Sequence, residues 1–194
     1  MFGSSVIGRG LEWRSTGDKP ASWAYFLQGE MVAEFSRSSE DREVQAEAEA
    51  QVWRIPFHGT FVLRTGVFHP SAGAPSLVFA GSVKRGLARH QNGLGFTLYS
   101  GLTRGIGPWV GIDDERGNGV LRVRGRIGGG GFWHSVQVTP DPTYTVFVDP
   151  LLVLLGGLQV LRHTNRWLSL TTLFVSEDSI QWEIERLSAA QGFG

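Results

Sequence analysis

The chain has no cysteine. That absence excludes disulfides, thiolate metal sites and a cysteine nucleophile, and it is compatible with the cytosol. An excess of charge is missing as well: 18 Lys and Arg balance 18 Asp and Glu. Net charge therefore gives no reason to expect nucleic acid as a partner. The first ten residues carry no apolar core of signal-peptide length, which argues against secretion. The apolar run from Leu151 to Leu161 is eleven residues long, whereas a membrane span needs about 20. Asp149-Pro150 closes it upstream and Arg162-His163 downstream, so a buried helix is expected in place of a transmembrane one.

Catalytic signatures are missing too. Gly128 to Gly131 suggests a phosphate loop, but Phe132-Trp133-His134 follows it and no Gly-Lys-Ser/Thr ending is present. There is no Gly-x-Ser-x-Gly elbow. Histidines 58, 69, 90, 134 and 163 are scattered, with no pair at metal-ligand spacing. Asp113, Asp114 and Glu115 stand before Gly117-Asn118-Gly119, where a solvated hairpin turn is the expected reading, its Asn-Gly pair tolerating positive φ. The expectation is a non-enzymatic chain with no cofactor and no metal.

What is present is β structure. Twenty-seven glycines and twelve phenylalanines suit strands broken by turns. Trp23 to Leu27 and Met31 to Phe35 read as a hairpin. Glu43 to Arg54 alternates with period two, Val44, Ala46, Ala48, Ala50 and Val52 sharing one parity, which predicts a strand ended by Pro56. Further strands are predicted at Thr60–Arg64, Leu77–Lys84, Gly95–Ser100, Trp109–Asp113, Gly119–Arg126, Trp133–Thr139 and Tyr144–Val148, with a loose loop over Pro70 to Pro75.

Residues 149–163 then read as a helix that is apolar on nearly every side. Asp149 suits the N-cap and Pro150 the first turn, while Arg162 and His163 suit the negative end of the dipole. An all-apolar helix must be enclosed. A sheet closed around it would enclose it and leave no exposed edge. Gly156-Gly157 costs about 1 kcal/mol per glycine against alanine, which implies close approach of strand backbone there. Beyond the helix, Trp167 to Val175 reads as a final strand and Ser176 to Leu187 as a short amphipathic helix. Ala189 to Gly194 should fray.

On these features the chain resembles the tubby C-terminal-like superfamily, which includes the phospholipid scramblases and the plant LURP-one-related proteins. The matching residues are Leu11-Glu12-Trp13, Trp53 after the alternating segment, the turn Ile112-Asp113-Asp114-Glu115-Arg116-Gly117, and Val136 to Val138 leading to the 149–163 helix. The resemblance spans about residues 11–163. It implies a mainly β domain over residues 1–163, a closed antiparallel barrel of about twelve strands around a central hydrophobic helix, with residues 164–194 as an extension that packs on the barrel or mediates assembly. The calcium-binding segment of scramblases is not reproduced.

Arg122, Arg124 and Arg126 are the sharpest polar feature. Spacing of two puts all three on one strand face, where they repel unless solvated or matched by an anion. Arginine forms forked hydrogen bonds with phosphate oxygens. Lys84, Arg85, Arg89 and His90 form a second basic cluster in a predicted loop. The superfamily's head-group pockets are built from Lys and Arg, an analogy that holds at the level of the fold and does not match residue by residue. The sequence thus leads to two expectations. One is a cytoplasmic, peripheral-membrane binding module that meets anionic phospholipid through Arg122, Arg124, Arg126, Lys84, Arg85 and Arg89. The other is a protein-interaction or homo-oligomeric assembly subunit that uses the apolar residues of Trp167 to Leu187. A small-ligand barrel is disfavoured because the helix should fill the lumen. Trp109, beside Pro108, or Phe132-Trp133, after the glycine loop, is a candidate for contact with a membrane interface.

Overall fold

The computed structural model describes residues 11–15, 22–27, 30–37, 43–48, 51–59, 63–103, 107–126, 135–140, 150–162 and 175–193. The chain is mainly β, an antiparallel sheet followed by helices toward the C-terminus. Twelve strands are described: β1 (Leu11–Ser15), β2 (Ser22–Leu27), β3 (Glu30–Arg37), β4 (Glu43–Ala48), β5 (Gln51–Gly59), β6 (Arg64–Pro70), β7 (Leu77–Gly81), β8 (Arg85–His90), β9 (Gly95–Thr103), β10 (Gly107–Asp114), β11 (Gly119–Arg126) and β12 (Ser135–Pro140). Each pairs antiparallel with the next in sequence, and β1 pairs with both β2 and β12, Leu11 standing opposite Leu27 on one side and Val138 on the other. Two helices follow, α1 (Pro150–Arg162) and α2 (Glu177–Gln191).

In the seven strands from β5 to β11 the side-chain pattern explains why this sequence forms a sheet. Leu77, Phe79, Ala88, Phe96, Leu98, Val110, Ile112, Leu121 and Val123 are buried and alternate with other residues along their strands. Their registers line them up on one face: Phe79 lies opposite Ala88, Ala88 opposite Phe96, Leu98 opposite Ile112, and Val110 opposite Val123. Period-two alternation fixes this pairing, because a one-residue slip would turn the apolar set outward. Against this face lies α1, with Leu151, Leu152, Leu155 and Val160 buried and its packing directed to β10, β11 and β12. Its Gln159 is buried too, and Nε2 donates to the Ser82 carbonyl at 3.2 Å. That bond satisfies the polar group inside an apolar helix and ties α1 to the β7–β8 turn.

The opposite face of β7 is covered by α2. Val67, Val78 and Ala80 pack with Ile180, Ile184, Leu187 and Phe193. This is why all five residues of β7 are buried: one face meets the inner core and the other meets α2. Ser176 caps α2 by accepting from the Ser179 N–H, and Glu177 and Asp178 sit at the positive end of its dipole. At its other end Gly192 takes φ 72°, and the Phe193 N–H returns to the Ser188 carbonyl at 2.8 Å. This Schellman arrangement turns Phe193 into the core.

Several expectations need correction. Glu43 to Arg54 is two strands, β4 and β5, paired with Ala46 opposite Trp53. Pro56 does not end the second; it lies inside β5, whose pairing with β6 is interrupted at Ile55 and Pro56, where proline has no N–H to donate. Of the strand placed at Thr60–Arg64, residues 60–62 lie outside the described residues and Leu63 is not in a strand; β6 runs from Arg64 to Pro70. The terminal residues do not fray through Phe193, which is 8% exposed. The helix after Ser176 is fifteen residues long. Gly156 is approached by a side chain, not by strand backbone: a Cβ there would lie 2.7 Å from Val123 Cγ2. The predicted strands at Tyr144–Val148 and Trp167–Phe174, the loop Gly128–Gly131, and Asp149 and His163 fall outside the described residues. Val175 is described but is not part of a strand. No helix among the described residues is long and apolar enough to cross a membrane.

Candidate functional site

Of the predicted basic residues, Arg85, Arg89, Arg122 and Arg124 are brought to the outer face of β8 to β11, away from α1. Arg85 is opposite Tyr99, Tyr99 opposite Gly111, and Gly111 opposite Arg122. These four positions form one row across four strands, so Arg85 and Arg122 are about 14 Å apart by strand spacing. Arg124 is in the neighbouring row, opposite Trp109. Arg89 is on the same strand as Arg85, opposite Gly95. The Lys84–Arg89 cluster is therefore not a loop: only Lys84 is in the turn, and Arg85 and Arg89 belong to β8. Ser82 shapes that turn, its hydroxyl accepting from the Lys84 and Arg85 N–H groups at 3.2 and 3.1 Å.

The arginines are not equivalent. Arg122 Nη1 donates to Asp113 Oδ1 at 3.0 Å, the same oxygen that accepts from the Tyr99 hydroxyl at 3.0 Å. Its guanidinium also lies over the Tyr99 ring, 5.0 Å from the centroid. With Arg122 34% and Asp113 20% exposed, this pair is partly desolvated and stronger than an open surface bridge. Arg85 is bridged to Glu177 at the start of α2, with both side chains largely exposed. The row thus holds two cations already matched by carboxylates. Arg124 and Lys84 are exposed, and neither side chain has a partner among the described residues. Arg89 is half-buried. The Arg126 side chain lies outside the description; its backbone pairs with Ser135.

Two glycines make room for this cluster. A Cβ on Gly111 would lie 2.5 Å from the Tyr99 ring and 2.8 Å from Arg122, and one on Gly101 would lie 2.9 Å from the Trp109 ring. The rings lie across glycine positions of the neighbouring strand, where no side chain lifts them off the sheet. Tyr99 and Trp109 then meet edge to face, 5.8 Å between centroids. The result is an edge-to-face aromatic pair, Tyr99 and Trp109, bordered by Arg85, Arg122 and Arg124. The sequence reasoning missed Tyr99, Asp113 and the two glycines. The signal was available: Tyr99 and Gly101, and Trp109, Gly111 and Asp113, are spaced by two and share the parity of the arginine face.

The acidic turn divides between two jobs. Asp113 belongs to β10 and neutralises Arg122. Asp114 organises the turn by accepting from the Arg116 and Asn118 N–H groups and the Asn118 side chain. The Asn118 side chain foremost, then these N–H groups and the Arg116 charge, hold its carboxyl below the usual carboxylate range. Positive φ falls on Gly117, at 78°. Glu115 reaches across to accept from the Gly95 N–H at 2.9 Å. Among the described residues no group of His, Asp and Glu could hold a metal ion.

Of the apolar residues in Trp167 to Leu187 expected to cover a partner, Ile180, Ile184 and Leu187 pack within the chain against β7 and β8, Trp182 is exposed, and residues 167–174 lie outside the described residues. Comparison with protein-family models, with curated proteins and with solved structures finds no match.

Proposed function

We propose that the chain is a non-enzymatic, tubby-like binding module that meets anionic phospholipid head groups with the outer face of β8 to β11, as a cytoplasmic peripheral-membrane protein. In this reading the sheet is a twelve-stranded barrel closed around α1. The pairing of β1 with both β2 and β12 supports closure. So does the reach of α1 from β10–β12 on one side to the Ser82 carbonyl on the other.

One observation carries the functional reading: an exposed cation, Arg124, stands opposite the half-buried indole of Trp109 on the face away from α1. An amphipathic ring beside a solvated guanidinium suits the boundary between head groups and water. The carboxylate pairs lower the expected affinity. Lys84 and Arg124 are the exposed cations of the site whose side chains have no carboxylate partner among the described residues, and each basic residue near an anionic surface contributes about 1 kcal/mol. Binding is therefore weak, of the order of 30-fold over neutral lipid, and is screened by salt.

Co-sedimentation with phosphatidylserine-containing and pure phosphatidylcholine vesicles tests this. The expected result is preference for the anionic vesicles, lost in Lys84→Glu/Arg124→Glu and reduced by added salt. Equal, negligible sedimentation with both would remove the proposal.

A further inference from the structure

A second surface lies on the solvent side of α2 and has the opposite charge. Trp182 is 61% exposed, the most exposed large apolar side chain among the described residues. It lines an open groove of about 420 Å³ together with Leu63, Asp178, Ser179 and Glu183. Exposed tryptophan in a shallow depression is a common anchor of protein interfaces. The helix around it carries Glu177, Asp178, Glu183 and Glu185 against a single cation, Arg186.

Helical spacing divides the surroundings of the indole. Asp178 and Arg186 flank Trp182 at four residues on either side. Arg186 lies 5.8 Å from the ring centroid and is held there by two bonds to Glu183, at 3.0 and 2.7 Å. It does not line the groove. The groove side therefore offers indole surface, the Asp178 carboxylate, which has no partner among the described residues, and the half-buried apolar Leu63. The arrangement of Arg186, a guanidinium beside the indole that donates through Nε and Nη2 to one carboxylate oxygen, Glu183 Oε2, shows within the chain the contact that a second cation would make on the other side.

We infer that this groove docks a basic, partly apolar segment of a partner protein. A lysine or arginine lies between Trp182 and Asp178, and an adjacent apolar side chain covers Leu63. Charge complementarity selects this occupant: a second copy of the chain would bring acidic α2 against acidic α2, and an anionic membrane would be repelled. The inference is independent of the lipid reading, since it uses other residues and the opposite sign of charge.

The test is fluorescence anisotropy of a short labelled peptide of alternating lysine and leucine, with its glutamate–leucine counterpart as control, titrated with the full chain. The expected result is binding of the basic peptide alone, weakened about tenfold or more by Trp182→Ala and by Asp178→Lys. Both positions are exposed, and circular dichroism would verify that the variants fold. Lys84→Glu/Arg124→Glu should leave peptide binding unchanged while abolishing vesicle binding, so the two proposals fail separately. No binding, or binding indifferent to both groove substitutions, would overturn the inference. A concentration-dependent dimer lost in Trp182→Ala would overturn it too, by making a second copy the occupant.

Discussion

Gly156 offers a sharp test of how α1 is seated. Replacing a helical glycine by alanine normally stabilises a helix by about 1 kcal/mol. Here the new methyl would lie 2.7 Å from Val123 Cγ2, with Ile112 Cδ1 next at 3.6 Å. Val123 is fully buried and cannot swing into solvent. Overpacking of this kind costs about 1–3 kcal/mol. The two effects oppose each other, and Gly156→Ala should leave the chain about 1 kcal/mol less stable, a fall in Tm of about 2–4 °C for a chain of this size. Val123→Ala alone should cost about 2 kcal/mol through lost burial and a small cavity. In that background the methyl added at position 156 has room, and Gly156→Ala should become stabilising by about 1 kcal/mol. The double-mutant cycle, read by urea denaturation, thus predicts a coupling of about 2 kcal/mol and a reversal of sign. If Gly156→Ala stabilises both backgrounds equally, the helix is not seated against β11 and the packing argument fails.

Tyr99→Phe removes the hydroxyl shared with Asp113 and should cost about 1 kcal/mol of stability, read from the denaturant midpoint, while keeping the ring over Gly111; no loss would mean that the bond contributes nothing. Ile184→Ala should cost about 2–4 kcal/mol, because its side chain fills the layer between α2 and β7; a change below about 0.5 kcal/mol, the size of a surface substitution, would show that α2 is not docked there. The depressed pKa of Asp114 has a definite sign. Its folded value lies below its unfolded value, so the stabilisation is present above the unfolded pKa and is lost as pH falls through the folded one. Acid unfolding of Asp114→Asn should therefore be less steep than that of the parent below about pH 4; identical profiles would contradict the assignment.

Much of the fold was legible because its elements obey simple periods. The strand at Gly119–Arg126 and the hairpin of β2 and β3 follow from alternation and turn residues, and α1 follows from its all-round apolarity and Pro150. The misreadings have local causes. Pro56 marks a strand end by propensity, yet tertiary pairing carries β5 through it with a local break in the ladder. Arg85 and Arg89 look like a polar loop because their strand alternates glycine and alanine inward with charge outward, and small residues give little hydrophobic signal. Phe193 lies beyond the last helical turn, and only the left-handed Gly192 directs it back to the core. The site was half legible. The arginine stripe was visible as a pattern, but the neutralisation of Arg122 depends on a pairing between β10 and β11 that places Asp113 beside it, and cross-strand register is not written in either segment alone.

The account rests most heavily on α1 being enclosed by the chain's own sheet. Amide hydrogen exchange across Leu151 to Val160, measured on the full chain in dilute buffer at two protein concentrations without lipid, addresses that directly. Enclosure predicts that these amides exchange only through global unfolding, at rates independent of concentration. Rapid exchange, or protection that rises with protein concentration or added vesicles, would show that something other than the sheet covers the helix, and would contradict the account.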